Sequence, residues 1–160
     1  MTDMTVPDIP VAADTDVFIT RAFAAPRDVV WKFFTEPERL AQWFGPSTVH
    51  VDPASVVVDA TAGGRWDLDM VDNASGDHYP LRVRLTAVIP PEYLEGSASA
   101  DAQDGEIRDV TLRIWLHDHG DKTRMTLHQG PFTPEFRDMT RDGWNESFHK
   151  VDDLLAGGLS

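Results

Sequence analysis

Apolar and polar positions change period three times along the chain. Between Thr15 and Phe23, Val17 and Ile19 alternate with Phe18 and Thr20, which predicts a first strand with apolar residues on both faces. Pro26 then suits the first turn of a helix, where its missing N–H costs nothing. Val29, Val30, Phe33 and Phe34 share one face of that helix, with Trp31 near the other side. A second short helix starts at Pro37 and ends at Gly45-Pro46, a glycine–proline stop.

From Thr48 to Gln129 the period is two. Val49 and Val51, the run from Ser55 to Asp59, then Trp66, Leu68 and Met70 read as strands. Leu81, Val83, Leu85 and Ala87 oppose Arg82, Arg84 and Thr86; a strand around Tyr93–Ala98 follows. Val110, Leu112, Ile114 and Leu116 form the next, and Met125 and Leu127 the last. Turns fall at Ala62-Gly63-Gly64, Asp72 to Asp77, Asp101 to Gly105 and His119-Gly120-Asp121. From Pro134 to Ala156 apolar residues recur every three or four positions, one amphipathic helix of roughly six turns stopped by Gly157-Gly158. The order of one strand, two short helices, five or six strands and one long helix predicts an α+β fold. It is a curved antiparallel sheet wrapped around the C-terminal helix. Residues 15–156 form the expected domain, with 1–14 a polar, proline-punctuated disordered leader and 157–160 a tail.

Composition narrows the partners. The 160 residues carry 20 Asp and 7 Glu against 11 Arg and 3 Lys, a net charge of −13. A field of that sign repels phosphate backbones and anionic lipid surfaces, so neither nucleic acid nor membrane is an expected partner. No cysteine is present, which removes thiolate metal sites, disulfides and a cysteine nucleophile together. The first residues lack a basic segment followed by an apolar one, and no window reaches the ~18 apolar residues of a spanning helix. A cytoplasmic protein is expected.

Several segments, in order and spacing, resemble one family. They are Ala25-Pro26 with Val30-Trp31, Pro37-Glu38-Arg39-Leu40 with Trp43-Phe44-Gly45-Pro46, and Asp59 with Gly63-Gly64-Arg65-Trp66. Ile89-Pro90-Pro91-Glu92 with Leu94, Thr123-Arg124-Met125-Thr126-Leu127, and Gly143-Trp144 complete the set. Over residues 15–156 the chain resembles the stand-alone bacterial form of the C-terminal domain of the activator of heat-shock-protein-90 ATPase. That family lies within the SRPBCC, or START-like, superfamily. The resemblance implies the helix-grip fold. Superfamily relatives hold lipids, hormones or polyketides between sheet and helix, and some are cyclases or dehydratases. Two features depart from the pattern: Thr61 stands where the family often has arginine, and a 14-residue leader replaces the eukaryotic activator's N-terminal domain.

A concave sheet closing on one helix leaves space lined by large apolar side chains, the default small-molecule site. The candidates on the sheet are Trp66, Leu68, Met70, Leu81, Val83, Leu112, Ile114 and Met125. The helix adds Phe136, Met139, Gly143, Trp144 and Phe148. Gly143 stands out because a mid-helix glycine costs about 1 kcal/mol against alanine, a loss tolerated for close approach or access. The same stripes also serve plain packing. Trp43 and Phe44 beside the Gly45-Pro46 turn either form a lid at the cavity mouth or plug that end of the sheet.

Other groups point to less. His117 and His119 share a strand end, but a metal site needs a third ligand, and a solvated hairpin is the expectation. Asp69, Asp72, Asn73 and Asp77 miss the calcium-loop spacing because Val71 falls at the third ligand position, so a turn is expected. Arg82, Arg84, Arg113 and Arg124 read as a solvated ladder with Asp67 and Asp69. No GxSxG, P-loop, GxGxxG or HExxH occurs, and no cofactor is expected. Three functions stay open. The first is a module binding a small hydrophobic or amphipathic molecule. The second is a cavity enzyme of the cyclase, dehydratase or hydrolase type using His50, His78, Asp69 or Arg113. The third is a co-chaperone-like ATPase activator. An open strand edge and the Trp43 region leave room for a homodimer.

Overall fold

The computed structural model describes residues 5–102 and 105–157; the first four residues of the expected leader and residues 158–160 of the tail lie outside them. The strands are β1 (Val17–Phe23), β2 (Val49–Val51), β3 (Val57–Val58), β4 (Arg65–Asp72), β5 (His78–Ile89), β6 (Tyr93–Ala102), β7 (Gly105–His119) and β8 (Lys122–Gly130). The helices are α1 (Arg27–Thr35), α2 (Pro37–Trp43) and α3 (Pro134–Ala156). All strands join one antiparallel sheet in the order β1-β8-β7-β6-β5-β4-β2, with β3 also on β4. The chain has the helix-grip fold: a curled sheet, two short helices after the first strand, and a long C-terminal helix in its grasp.

Seven strands follow the short helices, where the sequence pattern suggests five or six. The run from Ser55 to Asp59 is also not one strand. Pro53–Ser55 form a single 3-10 turn capped by the Asp52 carboxylate, which accepts from Ala54 N at 3.1 Å. Two residues of strand remain in β3. Proline cannot donate to a ladder, so the edge breaks there. Part of the turn expected at 101–105 falls on the undescribed residues 103 and 104.

The sheet curls where its registers slip, between Leu85 and Ala87 on β5 and between Ala98 and Ala100 on β6. Gly96 permits the close approach there. A Cβ on it would sit 2.5 Å from Val83 Cγ1 and 2.8 Å from the Arg84 carbonyl oxygen.

The helices α1 and α2 close one end of the curl. They bury Val30, Phe33, Phe34, Leu40 and Trp43. The last turn of a helix leaves carbonyls without intrahelical partners. Here two indoles supply them: Trp43 Nε1 donates to the Phe33 carbonyl at 2.8 Å, and Trp66 Nε1 to that of Phe34 at 2.6 Å. Two large aromatics are thereby buried with their polar atoms satisfied.

Helix α3 begins at Thr133, whose hydroxyl accepts from Phe136 N, with Pro134 in the first turn, and it ends at Gly157. Trp144, Ser147, Phe148 and Val151 make its buried stripe. Arg21 on β1 fixes the C-terminal half. One guanidinium nitrogen lies 2.6 and 2.7 Å from the two Asp152 carboxylate oxygens, and the group sits 4.5 Å over the Phe23 ring. Among the described residues no helix is long and apolar enough to cross a membrane.

Candidate functional site

Toward its N-terminal half, α3 stands off the sheet. A cavity of about 260 Å³ lies between them, lined also by the segment from Phe44 to Val49 that follows α2. Three small residues open this space: Ala98 and Ala100 on the β6 floor, and Gly143 on α3. A Cβ on Gly143 would find only Pro46 Cδ, at 3.9 Å. The mid-helix glycine therefore widens the cavity and does not serve close packing. Exposed Met139 and Thr48 stand among the lining residues and mark the rim.

The structure divides the expected lining in two. Phe44, Met70, Leu81, Leu112, Phe136, Met139, Gly143 and Trp144 do line the cavity. Trp43, Trp66, Leu68, Val83, Ile114, Met125 and Phe148 do not; each is sealed in the core and at most 2 % exposed. The reason is the packing of α1 and α2. Trp43 meets Phe34, Phe44 and Phe148 with ring centroids 5.1, 5.7 and 6.0 Å apart, which fills that end with aromatic rings. Trp43 plugs, and Phe44 beside it reaches the cavity, so the two adjacent aromatics take the two roles separately.

The mouth segment is tied to α3 by polar contacts. Gly45 adopts φ +96°, a conformation that suits glycine. Its carbonyl and that of Pro46 accept from Lys150 Nζ at 3.0 and 3.3 Å. Glu146 accepts from Ser47 twice, from the hydroxyl at 2.5 Å and the backbone N–H at 3.0 Å. These bonds hold the Glu146 carboxyl below its ordinary range, and burial lowers the Lys150 ammonium.

Two polar side chains lie deep among the apolar lining, and one of them, Ser147, spends its hydroxyl on the Gly143 carbonyl at 2.8 Å. Gln129 on β8, 4 % exposed, follows Met125 and Leu127 on the inward face and accepts from Trp144 Nε1 at 2.8 Å. Its inward position was readable in the alternation of β8, but a lone polar residue there gives no apolar signal. Ala98 and Ala100 were also missed, because small residues in a strand give little apolar signal, and Ile107 because it falls between the turn expected at 101–105 and the strand read from Val110.

The acid–base candidates lie elsewhere. His50 is exposed and bonds to Asn73 Oδ1 at 2.6 Å; His78 is 3.4 Å from Asp69 Oδ2, and Arg82 is 3.2 Å from its Oδ1. Arg113 is 3.4 Å from Glu95, whose carboxylate also accepts from the Tyr93 hydroxyl. Burial and that carboxylate raise the Tyr93 phenol above its ordinary value. None of His50, His78, Asp69 and Arg113 lines the cavity. Arg82 with Asp69, and Arg65 3.8 Å from Asp67, make the outer-face ladder.

No group of three or more His, Asp or Glu among the described residues is placed to hold a metal ion. His117 has its Nε2 buried without a partner, and burial, with Arg124 and Arg27 nearby, lowers its titration. Asp72 caps a turn, accepting from Ala74 N and Ser75 N at 2.8 and 2.9 Å, as the missed calcium spacing implied.

Comparison with known proteins adds the family. The model described as "Activator of Hsp90 ATPase homolog 1-like protein" matches residues 24–156. The chain superposes on a Rhodobacter sphaeroides protein with TM-score 0.76 and 22 % identity, covering 94 % of this chain and 98 % of that one. The AHSA1 protein from Silicibacter pomeroyi gives 0.76 and 24 %, covering 88 % and 97 %. Protein Ms6760 from Mycobacterium smegmatis gives 0.74 and 24 %, covering 96 % and 99 %. At these identities the likeness is one of fold. No curated protein matches the chain significantly.

Proposed function

Because the chain belongs to the family of activator of Hsp90 ATPase homolog 1-like proteins, we propose that it is a binding domain for one small, largely apolar molecule. The molecule lies between the sheet and the N-terminal half of α3. The observation that carries this reading is the cavity of about 260 Å³ floored by Ala98 and Ala100 and roofed by Gly143. That volume approaches the ~300 Å³ at which small-molecule sites begin, and equals about nine waters of ~30 Å³ each. It suits one or two rings or a short acyl chain. Burying such a surface contributes about 25 cal/mol per Å² of apolar area. The four acid–base candidates lie outside the lining, which leaves the cavity-enzyme reading without the groups named for it. The homodimer and the ATPase-activator role have no comparable observation behind them.

Two measurements test this reading. Denaturing the purified protein and analysing released small molecules by mass spectrometry, against a blank purification, is expected to yield a stoichiometric apolar compound. Titration with 2-ethylnaphthalene, read through tryptophan fluorescence, is expected to saturate at one per chain. Gly143→Leu, which fills the cavity from α3, is expected to abolish that binding while the protein stays folded. No released compound together with no saturable binding overturns the reading.

A further inference from the structure

Gln129 is a buried carboxamide in the lining of the cavity. An indole N–H can only donate, so the Gln129 atom facing Trp144 Nε1 at 2.8 Å is the carboxamide oxygen. The amide nitrogen must then point away from Trp144. It has no hydrogen-bond partner among the described residues, yet it is not among the buried polar atoms sealed without one. A residue 4 % exposed that lines the cavity thus presents an unengaged NH₂ group to it. Trp144 stacks on Phe148 with centroids 5.5 Å apart, so the carboxamide is held in orientation from behind.

The surroundings decide which acceptor it takes. The described lining contains no Lys or Arg and one carboxylate, Asp72, and the chain carries a net charge of −13. A buried carboxylate or phosphate on the ligand would lack a counter-charge and cost several kcal/mol. A neutral carbonyl oxygen accepts from the NH₂ group without that cost.

We propose that Gln129 Nε2 donates to the carbonyl oxygen of a neutral, otherwise apolar ligand, and so selects ketones, aldehydes and esters over the hydrocarbons that fit the same space. The inference rests on the cavity reading above, and its test separates the two.

The probes are 2-acetylnaphthalene and 2-ethylnaphthalene, which share a shape and differ in the carbonyl. The quantity read is the ratio of their affinities, in the native chain and in Gln129→Leu. That ratio is expected to fall about three- to tenfold in the variant, the value of one neutral hydrogen bond. Leucine strands the Trp144 indole, so the pair Gln129→Leu with Trp144→Phe removes both ends if the single variant fails to fold. The carbonyl stretch of bound 2-acetylnaphthalene in the native protein supplies a readout free of variants; it is expected below its value in an apolar solvent. An unshifted stretch, or an unchanged ratio while both probes bind, overturns the role of Gln129 and leaves the cavity reading standing. Failure of both probes to bind the native chain overturns both.

Discussion

The two ends of the interface between α3 and the sheet have the same sequence character and opposite structures. At the C-terminal end, Phe148 and Val151 are fully buried, and Phe148 packs against Phe23 and Trp43. At the N-terminal end, Phe136 is half-buried and Met139 is 45 % exposed, beside a cavity. The recurrence of apolar residues every three or four positions marks the side of α3 turned toward the sheet. It does not say whether anything meets them. At the closed end, α1 and α2 deliver three aromatic rings; at the open end, only the loop from Phe44 to Val49 arrives, and the floor is alanine.

Removing the plug is the largest way to break this contrast. Trp43→Ala deletes a side chain with no exposure that touches three rings and satisfies a helix carbonyl. It is expected to cost about 3–5 kcal/mol in urea unfolding. A loss below ~1 kcal/mol would mean that the closed end is as loose as the open one.

The open end responds in the opposite direction. Gly143→Ala adds a methyl group that would meet only Pro46 Cδ, at 3.9 Å, and it improves helix propensity. It is expected to raise stability by about 1 kcal/mol in the same unfolding experiment. A destabilised variant would show that the space above Ala98 is already filled.

The smallest effect concerns the attachment of the mouth segment. Hydrogen bonds from Ser47 hold the Glu146 carboxyl below its ordinary value of 4.5. A carboxyl lowered by folding contributes stability above its unfolded value, and that contribution disappears as pH falls through the folded one. The native chain is therefore expected to lose part of its thermal stability on acidification below about pH 4.5 that Glu146→Gln lacks from the start. The two melting curves are expected to converge as pH falls; a constant gap would separate Glu146 from the acid response.

The strand alternation and the helix from Pro134 to Ala156 were readable because each follows from local periodicity and its own stop signals. The edge was not: Pro53 and Ser55 sit in a stretch whose apolar pattern continues while its backbone turns. Within the candidate site, Phe44, Leu112 and Trp144 were readable as inward-facing apolar residues. Gln129 held a readable inward position but carries no hydrophobic signal, and Ala98 and Ala100 are too small to give one, though all three shape the cavity and its chemistry.

By itself, the sequence determined the order of elements, the inward face of each strand and the buried stripe of α3, since backbone period and side-chain polarity are local properties. Only the tertiary structure decided which of those inward residues meet a partner. Trp43 and Phe44 are neighbours in the chain, yet the first is locked to the Phe33 carbonyl and the second borders open space. That division depends on where α1 and α2 end against the curl of the sheet, and the curl is the sum of register slips spread over β5 to β7.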